Sequence, residues 1–546
     1  MQNEPIAWRV ATLTFLIRSL QFILLALSDH CFSDYDTSKL LLQSVDRLHN
    51  AEEQIQTSLS VPALSSGHIT WDSVFFLEIS KRGYEHEQFY AFFPLFPALS
   101  GLLGPSMVPV IALLICVTSS VVMATLFASL SQRILQNPEE ARMAVLCLIL
   151  NQACTFHTVA YSESLFGALT MAGLYCLYCQ TTQGSRKWSG DSHLDDSAPP
   201  PTKQEPDLST LLGTLTPISQ PKRLSFTHLF AAAFFFTLGS CTRANGIINC
   251  GYVAHVSIEG AIQAWSRQEV TRSFLYLVLG ALSSALVAAP LAVHQVQGFR
   301  VFCTNPPTPS SIHTTILGVE AGTGIADAEQ DGLWRPWCSE ALPRIYSFVQ
   351  EHYWGIGWFK YWRLEQAPNF LLASPALMLT WCGVWSYLSA NPRHLLTGGF
   401  QKTSASLRNF TTTSQALPKS QKGHTPIGED LGASSMPEAI GLAGEPGGFH
   451  GLRVAVHIYP WAFMSILSLL VMHVQVSTRF LSCCPALYWF LAHLLTKAET
   501  DQSSVRHNNA KGRGMRGGIL KTGIWGVSLI YIALGTLLFP NFYPWT

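Results

Sequence analysis

One acidic residue beside a tryptophan is the first candidate for chemistry in this sequence. The stretch WDSVFFLEISKRGYEHEQFYAFFPLFP runs from Trp71 to Pro97 in a chain that is otherwise strongly hydrophobic. A positioned carboxylate can take a proton from a reacting hydroxyl group, which is general-base catalysis. Asp72 is therefore the candidate catalytic base, and Glu78 is a second acid that we expect to face the same cavity. The simpler interpretation is that Asp72 only caps the helix that follows it.

Further polar clusters recur between hydrophobic segments. They are SDYDTS (33–38), YSES (161–164), TRANG (242–246), PWC (336–338), IYSFVQEHYWGIGWFKYW (345–362), PNFLLASP (368–375) and HVQVSTRF (473–480). Polar groups at membrane depth are costly, so clusters that converge on one side indicate a functional cavity. Each cluster also has a structural explanation: solvated loop acids, helix caps, cations that reach lipid headgroups, or an interfacial aromatic belt.

The elements that position these residues are predicted to be membrane-spanning helices. The 546 residues include 34 Lys and Arg against 34 Asp and Glu, but charged residues are only 12% and hydrophobic residues reach 48%. A soluble chain of this length would need more charge to cover its surface. The composition therefore favours an all-α polytopic membrane protein. The zero net charge argues against nucleic acid as the main partner.

About eleven transmembrane helices are predicted, because a bilayer core of about 30 Å needs roughly 20 mostly apolar residues per helix. Segment 6–27 has a signal peptide as its alternative, but Arg18 lies in the middle of its apolar run. The run 89–97 is too short and too rich in proline to span, so we expect it to be re-entrant or interfacial. The predicted spans are 6–27, 106–130, 141–159, 164–180, 226–241, 246–264, 273–295, 368–390, 452–472, 480–496 and 521–540.

Loop charge predicts the orientation of these spans. With a cytosolic N-terminus, most loop Lys and Arg lie on the cytosolic side, and the large opposite-side segments are 28–105 and 296–367. Two cytosolic loops have a composition that predicts disorder. The resulting organisation is an N-terminal transmembrane module (1–180), a loop (181–225), a central module (226–394), a second loop (395–450) and a C-terminal module (451–546).

Motifs spread along the chain resemble one known family, the PIG-V mannosyltransferases of GPI-anchor assembly. The matches cover nearly the whole chain outside the two loops. In chain order they are Trp71-Asp72, Gly83-Tyr84, Ala91-Phe92-Phe93-Pro94, Tyr161-Ser162-Glu163-Ser164, Arg243-Ala244-Asn245-Gly246, Pro368-Asn369-Phe370-Leu371-Leu372-Ala373, His473-Val474-Gln475-Val476-Ser477-Thr478-Arg479-Phe480 and Asn541-Phe542-Tyr543-Pro544-Trp545-Thr546.

The resemblance implies a GT-C-like glycosyltransferase of the endoplasmic reticulum membrane. Its lumenal loops would form the active site. The donor would be dolichyl phosphate mannose, the acceptor a GPI precursor bearing its first mannose, and the new bond α-1,6. The lumenal site agrees with the orientation predicted from loop charge.

The implied reaction assigns roles to residues. A β-linked donor and an α-linked product require inversion at C1, so one displacement with Asp72 as base is enough. Developing phosphate charge needs cations or donors, and Arg243, Arg479 and His473 are the candidates. Trp71 is expected to stack on a sugar. The other candidate substrate-binding residues are Asp36, Glu78, Tyr84, Glu163, Asn245, Gln350, Asn369 and Gln475.

No cofactor or metal is expected for this chemistry. Asp34-Tyr35-Asp36 has the DxD form of metal-binding nucleotide-sugar enzymes, but a monophosphate lipid donor has no diphosphate for a metal to bridge. Cys303 and Cys338 share a polar loop on the oxidising side. They are predicted to form a disulfide, with two free thiols as the alternative.

Rival functions remain at this stage. A transporter or flippase also explains many spans with buried polar groups, although we find no internal repeat. Another polyprenyl-phosphate-sugar transferase is a closer alternative, and a structural subunit is a third. The expected partners are the lipid-linked donor, the glycolipid acceptor and the membrane. The resemblance adds a small accessory membrane subunit.

Overall fold

The computed structural model describes residues 6–35, 63–179, 225–304, 335–400, 447–508, 511–543 and 545. Within these ranges the chain is helical and forms no strand. The candidate residue Asp36 and most of loops 181–225 and 395–450 lie outside the described residues.

The α-helices follow one another with short connections. The first eight are α1 (Ile6–Cys31), α2 (Asp72–Arg82), α3 (Leu95–Ser100), α4 (Val108–Leu135), α5 (Pro138–Ile149), α6 (Glu163–Tyr178), α7 (Phe226–Thr242) and α8 (Cys250–Ser266). The others in the described ranges are α9 (Val270–Phe299), α10 (Ile345–His352), α11 (Ala367–Ala390), α12 (Pro392–Leu396), α13 (Ala455–Leu470), α14 (Ser477–Phe480), α15 (Pro485–Asn508) and α16 (Lys511–Leu538).

Six of the described helices are long and apolar enough to cross a membrane, namely α1, α4, α9, α11, α13 and α16 with their flanking turns. A helix also lies in each other predicted span, but α5 has only 12 residues and α6 only 16. The all-α, multi-pass class is therefore confirmed. The count of about eleven spans stays a prediction.

The predicted span 141–159 is not one continuous helix. Helix α5 ends at Ile149, and the next residues form turns. Arg18 of α1 is only 1% exposed and supports this break. Its Nη2 donates to the Ile149 carbonyl oxygen at 3.2 Å and its Nη1 to Cys154 Sγ at 2.5 Å. A cation at a helix C-terminus satisfies a carbonyl that the last turn leaves open. Segment 6–27 is thus packed into the bundle as a membrane helix.

The proline-broken run 89–97 forms a short hook, as its composition predicts. A 3₁₀ turn at Glu87–Ala91 leads into α3. Phe89 and Phe96 are buried in a hydrophobic cluster that also contains Phe76 of α2 and Ala112 of α4. Burial of this apolar surface fixes α2, which carries Asp72, against the long helix α4.

Helix α10 is held by a small cluster outside the long helices. Ile345 and Val349, one turn apart, are both buried beside Tyr90. The structure joins Cys303 to Cys338, the pair predicted from the sequence. The disulfide ties the end of α9 to the segment before α10. The face of α10 opposite Ile345 and Val349 therefore points in a fixed direction.

This disulfide predicts a difference in thiol count. Without reduction, denatured protein should take up maleimide on the eleven free cysteines. After reduction all 13 cysteines should react, because the crosslink is then open. Intact-mass spectrometry gives both counts. The control is Cys303→Ser, which should give the same count before and after reduction; a natural chain with equal counts would contradict the disulfide.

Candidate active site

A cavity of about 220 Å³ lies where α2, the hook, α10 and the starts or ends of several long helices meet. It contains both cationic and apolar groups. Six predicted site residues line it: Asp72, Arg243, Asn245, Gln350, His473 and Arg479. The rest of its wall is Phe76, Ala91, Phe92, Phe93, Ser162, Thr242, Ala244, Tyr346, Trp354, Ile356, Met472, Val476 and Phe480.

The charged groups of the cavity are joined through one buried carboxylate. Glu163, 1% exposed, is the first residue of α6. Its Oε1 accepts from Arg243 Nη1 at 2.6 Å and from Arg479 Nε at 2.8 Å. Two guanidinium groups this close keep a buried carboxylate ionised. Glu163 does not line the cavity but lies beneath it and holds both arginines in its wall.

Asp72 is fixed at both its backbone and its side chain. Its Oδ2 accepts from Arg479 Nη2 at 2.7 Å, and its backbone N–H donates to the Tyr161 hydroxyl at 3.0 Å. The acid is the first residue of α2, and no side-chain capping bond is present there. The interpretation of Asp72 as only a helix cap is therefore wrong, because its carboxylate pairs with a distant arginine instead.

Two aromatic rings also contact the guanidinium group of Arg479. The guanidinium carbon lies 5.1 Å from the Phe156 ring centre and 5.0 Å from the Tyr161 ring centre. Such cation–π contacts hold a guanidinium that is largely withdrawn from water. Arg479 thus has two carboxylates and two rings as partners, which fixes its position.

Arg243 follows the last residue of α7, where the chain turns sharply. Its Nη1 also donates to Ser162 Oγ at 3.2 Å. The turn depends on Gly246, because an added Cβ there would lie 2.6 Å from Ser240 Cα. Backbone cannot move aside as a side chain can, so only glycine fits. Compared with Arg479, Arg243 has fewer protein partners and can present N–H groups to a ligand.

The wall opposite the arginines comes from α10 and the turn after it. Tyr346, Gln350 and Trp354 line the cavity. They recur every four residues, the spacing that places side chains on one helix face. Sequence reasoning proposed only Gln350 from this face; the periodicity would have indicated the other two. The Trp354 indole N–H is buried and has no hydrogen-bond partner among the described residues.

His473 is part of the cavity wall but is not a free cation. Its Nε2 lies 2.7 Å from the Trp354 carbonyl oxygen, so that nitrogen carries the proton. Burial lowers the pKa of His473 despite this hydrogen bond. A neutral ring whose Nε2 carries the proton has no proton on Nδ1 to donate. The hydrogen bond gives His473 a part in positioning the loop at Trp354, and its role in holding phosphate stays a prediction.

Two predicted residues lie behind His473, not in the cavity. Tyr361 stacks on the His473 ring with centres 4.7 Å apart. Asn369 Nδ2 donates to the Tyr361 hydroxyl at 2.8 Å, and Gln475 also contacts that hydroxyl. Neither Asn369 nor Gln475 is among the lining residues. The structure gives them a supporting position.

Three candidate residues of the first loop lie outside the cavity lining. Glu78 does not face the cavity and pairs with Lys81 and Arg82 on α2. Six residues at 3.6 per turn place it about 120° around the helix from Asp72. Tyr84 is not among the lining residues, and its hydroxyl donates at 2.8 Å to the carbonyl oxygen of Phe92, which is a lining residue. Trp71 also lies outside the lining.

The fold and the cavity define a class of protein. A multi-pass helical bundle with a carboxylate and fixed guanidinium groups in one cavity is an integral membrane protein with a polar candidate site. A family model described as "Mannosyltransferase (PIG-V)" matches residues 9–546. The chain belongs to this family, and it is therefore a glycosyltransferase.

Similar proteins span most or all of the chain. "GPI alpha-1,6-mannosyltransferase 2" of Cricetulus griseus is 27% identical and covers 100% of this chain and 99% of its own length. The Homo sapiens protein of the same name is 29% identical, with 89% of each chain covered. "GPI mannosyltransferase 2" of Drosophila melanogaster is 24% identical over 87% of this chain and 86% of its own.

The ion-pair geometry predicts that Glu163→Gln lowers activity at least about tenfold, because removing one partner of a buried pair leaves uncompensated charge worth several kcal/mol. Arg479 would then lose the contact that aims it at Asp72. Mannosyl transfer in microsomes, normalised to the amount of protein, measures the effect.

Glu78→Gln is the matched control, since it removes an acid of α2 that the cavity does not contain. Its activity should stay near that of the natural chain. Full activity of Glu163→Gln, or an equal loss in Glu78→Gln, would contradict the assigned geometry.

Proposed function

We propose that this chain transfers the second mannose of a GPI-anchor precursor from dolichyl phosphate mannose, in α-1,6 linkage. The names of the relatives support the acceptor and the linkage. The observation that carries the proposal is the Asp72–Arg479–Glu163–Arg243 series of ion pairs, which brings a carboxylate and two guanidinium groups to one cavity.

Asp72 acts as the general base. Its Oδ2 is occupied by Arg479, and its Oδ1 has no hydrogen bond to another described residue. The acceptor 6-hydroxyl gives its proton to Oδ1 as its oxygen attacks C1 of the donor mannose. The bond between C1 and the phosphate oxygen breaks as the new bond forms, and the configuration inverts. The sugar passes through a state with oxocarbenium character.

Arg243 stabilises the leaving phosphate. Charge develops on the phosphate oxygens as the C1–O bond breaks, and preorganised donors lower the energy of that state. Arg479 serves mainly to hold Asp72, because its Nε donates to Glu163, its Nη2 donates to Asp72, and two aromatic rings lie against its guanidinium group. Asn245 and Gln350, which also line the cavity, are placed to bind sugar hydroxyls.

The wider setting is a GT-C-like enzyme of the endoplasmic reticulum membrane, with about eleven spans and its active site on the lumenal side. Its partners are the two lipid-linked substrates and, as a further expectation, a small accessory membrane subunit. A different polyprenyl-phosphate sugar as donor is the alternative. A flippase is less well supported, because the chain belongs to a family of mannosyltransferases.

Complementation tests the function and the base together. Cells that lack the second GPI mannosyltransferase should regain surface GPI-anchored proteins when they express this chain. Asp72→Asn should lower the transfer rate by about 100-fold or more, because an amide cannot take the proton. Flow cytometry and a microsomal assay measure the two effects. Full transfer by Asp72→Asn at equal protein level would place the base elsewhere; no rescue by the natural chain would refute the function.

The monophosphate donor predicts activity without a divalent metal. Microsomal transfer should stay within about twofold of its rate when EDTA is added, because the phosphate charge is met by fixed guanidinium groups. A nucleotide-sugar transferase assayed in the same buffer is the positive control for chelation. Loss of transfer with EDTA and recovery with Mn²⁺ would overturn this prediction.

A further inference from the structure

The end of the chain lies across the start of α2. After α16 ends at Leu538, residues 539–543, here called the C-terminal strap, turn back along the first loop. Thr70 Oγ1 donates to the Phe539 carbonyl oxygen at 3.1 Å, and the Tyr35 N–H donates to the Asn541 carbonyl oxygen at 2.9 Å. A Cβ added at Gly67 would lie 3.0 Å from the Pro540 Cβ. The C-terminal strap is therefore packed closely, and not a loose tail.

The C-terminal strap supports both groups that flank the proposed base. Phe542 packs against Trp71, the residue before Asp72, with ring centres 6.0 Å apart. Phe539 packs edge-on against Tyr161 at 5.5 Å. The Tyr161 hydroxyl accepts the Asp72 backbone N–H. The position of the acid thus depends on the last residues of the chain.

The backbone at this contact is strained on both sides. Trp71 has φ +55° and Phe542 has φ +56°, although neither is a glycine. Bulky residues rarely adopt positive φ, and such strain persists where the surroundings fix it, most often at functional sites. At Trp71 the unusual backbone separates two neighbouring side chains: Asp72 lines the cavity and Trp71 does not.

Trp71, the residue before Asp72, is one of three exposed aromatic residues at the C-terminal strap. Trp71 and Tyr543 are each 37% exposed, and Tyr35 is 69% exposed. Tyr35 and Tyr543 lie 5.3 Å apart, while Phe542 beneath Trp71 is buried. The faces of aromatic rings carry partial negative charge and attract the polarised C–H groups on the apolar face of a sugar. The surface is therefore suited to a carbohydrate and adjoins the acid that must meet an acceptor hydroxyl.

We propose that Tyr35, Trp71 and Tyr543 form the subsite for the carbohydrate of the acceptor glycolipid, with Phe542 as a positioning residue under Trp71. The inference rests on the proposed function. It assigns the inner cavity, with its guanidinium groups, to the phosphate-linked donor. It assigns the outer aromatic surface to the acceptor, so that the two sugars meet at Asp72.

Kinetics of the full-length chain in microsomes test the subsite. Dolichyl phosphate mannose and a synthetic GPI precursor bearing one mannose are each varied in turn. Tyr543→Ala should raise the acceptor KM about five- to tenfold, the loss expected for one aromatic contact, and leave the donor KM unchanged. Phe542→Leu should act in the same direction through Trp71.

Trp358→Ala is the matched control. Trp358 is 66% exposed, does not line the cavity and has its ring against Phe359 alone among the described rings. Its acceptor KM should equal that of the natural chain. If the Phe542→Leu protein is not present in the microsomes, the acceptor KM of Tyr543→Ala alone tests the subsite.

Three results would overturn the subsite. They are an unchanged acceptor KM in Tyr543→Ala, an equal rise of both KM values, or the same effect in Trp358→Ala, which would indicate an interfacial aromatic belt. An inactive natural chain would instead refute the proposed function, and the subsite with it. Activity of the natural chain therefore separates the two failures.

Discussion

The site depends on a single buried carboxylate, Glu163. A charge taken out of water is stable only when it is paired and hydrogen-bonded. Glu163 meets this condition with two guanidinium groups on one oxygen. Its place at the first residue of α6 adds the positive end of the helix dipole. Three segments far apart in the chain must therefore converge, and the packing of α6 against α7 and against the turn Leu481–Cys483 after Arg479 brings them together.

The pairing makes the two arginines unequal. Arg479 bridges Glu163 and Asp72 and lies over two aromatic rings, so its orientation is fixed before any ligand arrives. Among the described residues, Arg243 has polar contacts with Glu163 and Ser162. Sequence reasoning assigned both arginines to phosphate, since residue type alone cannot show which one is already satisfied. The geometry gives the two arginines different roles. Arg479 holds Asp72, and Arg243 can interact with a developing anion.

A feature could be predicted from the sequence when the residues that determine it lie close together in the chain. Helical character, the failure of 89–97 to form a spanning helix and the Cys303–Cys338 pair depend on local composition or on two positions in one loop, and the sequence predicts all three. The direction in which Glu78 points could also be predicted from the sequence. Once the helix is known to start at Asp72, the helical repeat fixes the angular position of every later residue. By contrast, the Asp72–Arg479 pair joins residues 407 positions apart. The support of Asp72 by Tyr161, and of Trp71 by Phe542, follows from three-dimensional packing for which local periodicity carries no signal.

An acid beside a tryptophan can now be explained physically. A glycosyl transfer between two lipids must bring a phosphate-linked sugar and a hydroxyl to the same carboxylate from different directions. Adjacent residues at an ordinary helix start would point about 100° apart, on one continuous surface. The positive φ of Trp71 changes the direction of its side chain relative to that of Asp72. The Phe542 ring packs against the Trp71 ring. Because Asp72 faces the guanidinium groups and Trp71 lies outside the cavity, the acid stands between a cationic compartment and an aromatic one. In the proposed reaction, strain at Trp71 is the structural feature that lets two chemically different substrates reach one base.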